Sequence, residues 1–316
     1  MRPPLTEPKL ALQPAPLIRG WALTLILSCV YRAHGGKVLL SRLSFLPSQM
    51  ASSELLKRPN GPTVTLKYYH AEPVANSLKS MIPLIEKGLP YQSVYIDLHK
   101  FEQHSDWFVA INPEGQVPVL EHDGIIITHT TVINEYLEDI FPAIPLRPRD
   151  PVGAARMRYW NKFIDEHVMN HVSMHGWHRM IGIIARNIES GEFDRLLERI
   201  PLPDQRRKWR TARSGFSPAD LANATEKILY AVDKVERQLA RTEWIAGDHY
   251  TLADINFYSH CGMMVERMFP ELEIGKRCPR LVAWRQKLTA RPAVARALAA
   301  EDRTAPGLRT WTGHAR

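Results

Sequence analysis

Cysteine is scarce: Cys29, Cys261 and Cys278 are the three in 316 residues. Thiols this few and this scattered exclude a disulfide framework and a zinc cluster. Long apolar runs are missing as well. The longest, residues 21–31, has 11 residues, where a membrane-spanning helix needs roughly 18. No membrane insertion is expected. What the chain has in excess is positive charge, a formal +8 at neutral pH, which alone would suggest nucleic acid or an anionic membrane surface. Its distribution argues otherwise. Residues 1–61 carry eight Lys and Arg against Glu7 and Glu54; removed from the 41 basic and 33 acidic residues of the whole chain, these leave 33 and 31 for 62–316. The body is nearly neutral, so no nucleic-acid partner is expected. This length, with 45% apolar residues, suits about two domains with a core in each.

The leader, 1–61, is rich in Pro, Ser and Arg and has no clear amphipathic period. A secretory signal needs a basic start, an apolar centre and a small-residue cleavage site. Arg19 and the run 21–27 supply the first two loosely, but no Ala-x-Ala follows, and Leu27 is too bulky for a lipobox ending at Cys29. The preferred reading is an unstructured extension, or a start placed ahead of Met50-Ala51-Ser52-Ser53, with a cytoplasmic protein beyond it.

Regular structure is expected from Val64. The run 64–69 alternates as a strand does, and 70–75 with Pro73 reads as a loop. Leu78, Met81, Ile82 and Ile85 have helical spacing over 77–87; Gly88 stops the helix, and Pro83 predicts a bend within it. A second strand at 94–96 would be parallel to the first, because a helix crosses between them. A short helix at 106–111, a turn at Pro113 and Gly115, a strand through Val119-Leu120, a hairpin at His122-Asp123-Gly124, a strand at 125–128 and a helix at 131–140 complete this part.

This βαβ–ββα order, with Gln116-Val117-Pro118 ahead of the third strand, resembles the thioredoxin-like half of a glutathione transferase. The resemblance implies a cis Pro118 and a Val117 whose backbone pairs with the peptide backbone of glutathione. Read without it, Pro118 is an ordinary proline at the start of an edge strand.

After a Pro- and Arg-rich linker at 147–151 come helical patterns at 154–180, 193–200, 219–239, 252–268 and 281–288, so this half reads as all-α. At its centre, Thr251 as N-cap and Asp254 three residues on form a capping-box variant, with Tyr250 and Ile255 as a hydrophobic staple. That role is structural. The run Gly247-Asp248-x-x-Thr251-Leu252-Ala253-Asp254 nevertheless looks like the buried helix start of the glutathione transferase C-terminal domain. The fold expected is therefore an α/β thioredoxin-like N-terminal domain (62–142) followed by an all-α C-terminal domain (151–300), the glutathione transferase fold.

Two further stretches narrow the resemblance. The segment 101–108 leading into Ile111-Asn112-Pro113, and the insert 200–216 containing Lys208-Trp209-Arg210, are similar to the glutathione-dependent β-etherases of lignin degradation, the type with a fungal-nitrogen-regulator-like transferase fold.

Glutathione acts as a thiolate. Making a thiol about a hundredfold more acidic takes about 2.7 kcal/mol of preferential thiolate stabilisation, within reach of a hydroxyl or amide donor at a helix N-terminus. Asn76 and Ser77 stand where the first loop enters the first helix and match the Asn-Ser of the β-etherase branch. Tyr69 is the rival, and a plain N-cap is the alternative role for Ser77. The resemblance assigns His104 and Gln116 to the glycyl end and main chain of glutathione. For the γ-glutamyl end the family uses Glu-Ser, where this chain has His129-Thr130. Thr130 can keep the hydroxyl contact to a carboxylate. His129 cannot reproduce a charge-assisted bond to the glutamyl amine, a loss of about 1.5–3 kcal/mol. Either another acid takes that role or glutathione is held differently.

His167, His171 and His175 recur every four residues, with His178 a turn further on. Two such histidines can chelate a metal, but Glu166 precedes His167 instead of completing a His-Glu-x-x-His pattern. No metal is expected; the stripe, with Tyr159, Trp160, Phe163 and Trp177, lines an aromatic cleft or packs there. The expected activity is a glutathione-dependent transfer in which thiolate cleaves a β-aryl ether beside a ketone and releases a phenol. The alternatives are a transferase of other specificity (dehalogenase or isomerase) and a non-catalytic glutathione-fold binding protein. The partners implied are glutathione as co-substrate, a small aromatic substrate and a second copy in a homodimer.

Overall fold

A computed structural model describes residues 65–262, 265–270, 273–301 and 303. The leader, with every expectation placed on it, and Val64 lie outside the described residues.

The first half runs β1 (Leu66–His70), α1 (Ala75–Glu86), β2 (Gln92–Tyr95), α2 (Asp106–Ile111), β3 (Val119–His122), β4 (Ile125–Thr128) and α3 (Thr130–Ile140). The sheet order is β2-β1-β3-β4, with β1 and β2 parallel and the other pairs antiparallel. Tyr68 sits opposite Ser93 on one side and Leu120 on the other, and Leu120 in turn faces Ile127. Asp123 and Gly124 both have positive φ, as a two-residue type I′ hairpin requires. Helix α1 continues through Pro83 because the Lys79 carbonyl, which a proline four residues on cannot bond, accepts from Asn134 Nδ2 of α3 at 3.1 Å.

The second half is helical. Helices α4 (Pro151–Phe163), α5 (Met169–Gly176) and α6 (Gly182–Asn187) form one rod joined by π turns at Ile164–Val168 and Trp177–Ile181. After it come α7 (Ser190–Arg199), α8 (Pro203–Ser214), α9 (Pro218–Leu239), α10 (Leu252–Phe257) with a π turn at Tyr258–Gly262, α11 (Val265–Met268), α12 (Ile274–Arg277), α13 (Pro279–Thr289) and α14 (Pro292–Leu298). The long helices expected at 154–180 and 252–268 are thus each interrupted. A π turn inserts a residue into the 3.6-residue repeat and rotates the face that follows. The insert 200–216 folds as a helix, α8, and α14 had no counterpart in the periodicity.

The capping box is present: Thr251 N donates to Asp254 Oδ2 (3.0 Å) and Ala253 N to Thr251 Oγ1 (3.2 Å). Asp254 is fully buried and also accepts from Ile245 N and Trp284 Nε1, each at 2.9 Å, tying three segments together. Tyr250 packs against the Trp244 ring and under the Arg291 guanidinium. One apolar core runs from Leu66 and Leu120 in the sheet to Ile228 and Trp284 in the helices. A satellite core joins Phe101 of the first half to Phe193, Leu197 and Trp209 of α7 and α8. None of the described helices is long and apolar enough to cross a membrane.

Candidate active site

Between the halves lies a cavity of about 520 Å³. Its polar corner is built by Asn76, His104, Gln116, Val117 and His260; its opposite wall by Trp177, Met180, Ile181, Lys208 and Trp209. A smaller cavity of about 280 Å³ adjoins it, shares Asn76, Gln116 and Val117, and is lined also by Glu114, Pro118, His129, Thr130 and Asp165. Seven of the eight residues singled out in the sequence therefore line these two spaces.

Ser77 is the exception. As the third residue of α1 it is buried, and its Oγ accepts from Ala71 N at 3.1 Å while its carbonyl accepts from Tyr68 Oη at 2.6 Å. The hydroxyl closes the β1–α1 loop from inside and lines neither cavity, and Val74 occupies the N-cap. Tyr69 faces away too. It donates to Glu121 Oε2 at 2.8 Å, and burial with that carboxylate pushes its hydroxyl up to about 12.

Asn76 is held by a residue the sequence did not single out. His260, in the π turn after α10, is buried, with Nδ1 3.0 Å from the Asn256 carbonyl oxygen. Its Nε2 meets the Asn76 amide at 3.1 Å, at the Oδ1 position. Burial, aided by Lys79, lowers His260 to about 4, so the ring is neutral at pH 7. A neutral ring with a proton on Nδ1 has only a lone pair at Nε2. An amide turned by a half turn gives one N–H to that lone pair, whereas a ring protonated on Nε2 donates to Asn76 Oδ1; in both arrangements the amide keeps an N–H for a ligand. Lys79, with Asp165 and Thr131 at 2.7 and 2.9 Å, forms the buried charged floor beneath this corner.

The turn before β3 is equally specific. Asn112 Nδ2 donates to the Gln116 carbonyl at 2.7 Å, and the Val117–Pro118 peptide is cis, as the resemblance implied. Gly115 has φ +61, and a Cβ there would stand 2.5 Å from His104 Nδ1, so no side chain is tolerated. Burial, with Arg199 nearby, lowers His104 to about 4 and makes it a neutral hydrogen-bonding group. Gln103 Oε1 and His104 Nδ1 are buried at the cavity and have no hydrogen-bond partner among the described residues. Those two atoms suit a polar peptide-like ligand.

His129 precedes α3 with φ +63, is largely exposed, and points Nε2 at Glu114 Oε2, 3.7 Å away. The carboxylate missing from position 129 is thus present one side chain away, with Asp165 on the same cavity wall.

The histidine stripe lines neither cavity. His171 bonds to the His167 carbonyl, His175 is buried against Thr225 (3.1 Å) and Phe269, and His167 packs against Phe163. The π turns break the common face that regular helical spacing implied. Among the described residues no three His, Cys, Asp or Glu side chains converge as metal ligands would.

Models of the glutathione S-transferase N-terminal and C-terminal domains match residues 64–139 and 218–287. Over 236 residues the chain is 43% identical to Protein LigF of Sphingobium sp. (strain NBRC 103272 / SYK-6), spanning 73% of this chain and 92% of that one. The chain belongs to the glutathione S-transferase family. The transferase also superposes on the crystal structure of beta-etherase LigF from Sphingobium sp. strain SYK-6 with a TM-score of 0.71, at 40% identity, covering 74% of this chain and 98% of that one. A glutathione transferase homolog from sulfitobacter, solved with bound glutathione, matches at 26% identity and a TM-score of 0.53, covering 74% and 97%. This transferase is an enzyme of the glutathione S-transferase type with the small mixed sheet and helical half of that fold. Sequence reasoning missed His260, Glu114 and Asp165 at its site because nothing in local spacing links them to Asn76 or His129. Lys208 was visible only as part of a motif.

Proposed function

We propose that the protein is a glutathione-dependent β-etherase. Glutathione thiolate attacks the carbon that carries an aryloxy group beside a ketone, a thioether forms, and a phenolate leaves. The observation that carries this reading is one cavity whose polar corner, at Asn76, Gln116 and Val117, opens directly onto an apolar wall with Trp177, Trp209 and Ile181. Such a space suits a peptide thiol next to aromatic rings. The similarity to a relative described as a β-etherase points the same way.

In this reading residues 62–142 hold glutathione and 151–300 hold the aromatic substrate. Asn76 donates its second amide N–H to the thiolate, and Ser77 acts behind it by holding the loop. Val117, on the cis Pro118 turn, pairs with the peptide backbone of glutathione, while His104 and Gln116 take its glycyl end and main chain. Thr130 and the first turn of α3 receive the γ-glutamyl carboxylate. Glu114, beside His129, supplies the negative charge for the γ-glutamyl amine. The neighbouring ketone already lowers the displacement barrier, and we assign no metal to the reaction. A cytoplasmic homodimer completes the proposal.

Incubation with glutathione and a β-aryl ether ketone tests it. Phenol release far above the enzyme-free rate is expected. No phenol, together with fast turnover of a generic chloroarene, would move the assignment to another transferase specificity.

A further inference from the structure

Lys208 lies on α8, where Gln205, Lys208 and Trp209 follow the i, i+3, i+4 spacing of one helix face, and all three line the main cavity. Trp209 fastens this face by packing against Phe101, ring centroids 4.5 Å apart, and edge-to-face against Trp177 at 5.2 Å. Lys208 therefore has little freedom to swing into water. Its Nζ donates to Ser173 Oγ at 2.9 Å and sits 4.4 Å from the centre of the Trp177 ring. No ion pair joins it to a carboxylate among the described residues. Ser173 takes one of the three donors an ammonium has. A cation held against an aromatic wall without a counter-ion is matched to an anion that arrives with, or forms from, an aromatic ligand.

We propose that Lys208 is the residue that receives the departing aryloxy oxygen and protonates it. This rests on the β-etherase reading. As sulfur bonds to carbon, the carbon–oxygen bond breaks and its electron pair stays on oxygen. Lys208 hydrogen-bonds to that oxygen, passes it a proton, and as a neutral amine is reprotonated from solvent. The products are a thioether and a neutral phenol, and charge balances because the thiol proton left earlier. Burial lowers Lys208 to about 8, below the ordinary value of a phenol, about 10. Burial thus makes its ammonium a readier proton donor than an exposed lysine. A lysine at this place also accounts for what the insert 200–216 does chemically: it delivers a cation to the leaving-group end of the cavity.

The test compares Lys208→Met and Lys208→Arg with the unaltered protein on two β-aryl ether ketones that differ only in the leaving group, methoxyphenoxide and nitrophenoxide. A residue that stabilises the leaving group matters most when that group is poor. Lys208→Met should lose about a hundredfold in kcat on the methoxyphenoxy substrate and little on the nitrophenoxy one, with Lys208→Arg in between. Equal losses on both substrates, or none on either, would overturn the proposal. Binding of free nitrophenolate, followed by its absorbance, supplies a readout that needs no turnover. About tenfold weaker binding to Lys208→Met is expected, and unchanged binding would contradict the assignment. If the unaltered protein releases no phenol yet binds nitrophenolate through Lys208, the β-etherase reading fails while the anion-binding role stands.

Discussion

Asn76 and His260 stand 184 positions apart in the chain and meet with 3.1 Å between amide and imidazole. The contact crosses from the first helix of the thioredoxin-like half to a π turn in the helical half, so the position of the proposed thiolate donor is set by both halves together. Removing the ring should leave Asn76 free to rotate. His260→Leu is expected to raise the pH at which bound glutathione ionises, seen in thiolate absorbance, and to lower kcat/KM about tenfold or more, the value of one hydrogen bond to a charged group. His260→Gln can still accept from the amide and should retain most of the activity. Equal loss in both variants would mean that the ring matters only for packing.

In the proposed reading, Glu114 and His129 together answer the acid missing from the γ-glutamyl subsite. Their side chains are 3.7 Å apart and both line the smaller cavity. Glu114→Gln should weaken glutathione binding by about 1.5–3 kcal/mol, measured by calorimetry. His129→Glu added to that variant should restore the affinity. Unchanged affinity in Glu114→Gln would show that the glutamyl end is held elsewhere.

Stability should fall as pH drops below neutrality. His260 and His104 ionise near 4 in the folded protein, against about 6.5 in an unfolded chain. Between these values the unfolded chain binds protons that the folded one refuses, which favours unfolding. His70 and His175, also lowered by burial, act in the same sense. Asp254 acts in the opposite one. Burial pushes it up to about 6 from 3.8, so it adds stability as pH falls through that interval. The histidines outnumber it, and each net proton is worth about 1.4 kcal/mol per pH unit. Urea midpoints measured from pH 7 to pH 4.5 should therefore decrease, and less steeply in His260→Gln. A flat profile would contradict the account.

Trp209 holds the insert helix through its ring contacts with Phe101 and Trp177. Trp209→Ala should cost about 3–5 kcal/mol locally, loosening 200–216 to protease attack. The KM for an aromatic substrate should rise, with the KM for glutathione little changed. A parallel rise in both would place the effect in the whole fold.

Local chemistry was readable in the chain; long-range meeting was not. Gln116-Val117-Pro118, the Asp123-Gly124 hairpin and the Thr251–Asp254 cap all depend on neighbours within a few residues, and all are present. The His167–His178 stripe left cleft and packing open, and the structure divides them: His175 packs on Thr225 and Phe269, while Trp177 lines the cavity. Helix α8 was hard to see because just two of its positions, Trp209 and Ala212, are buried in an otherwise charged segment. Ser77 lies where the first loop enters the first helix, as expected, but its hydroxyl turns back to Ala71, a choice that only the folded loop decides. His260 carried no signal, since its partner lies in another half of the chain.

The central claim is a displacement at the ether-bearing carbon by glutathione sulfur. The most direct test is to quantify both products by mass spectrometry, from glutathione and a β-aryl ether ketone, in the same reaction. The account predicts phenol and the glutathionyl ketone thioether in equal amounts, growing at one rate and lost together in Asn76→Ala. Phenol without the thioether, or neither product while glutathione binds, would contradict it.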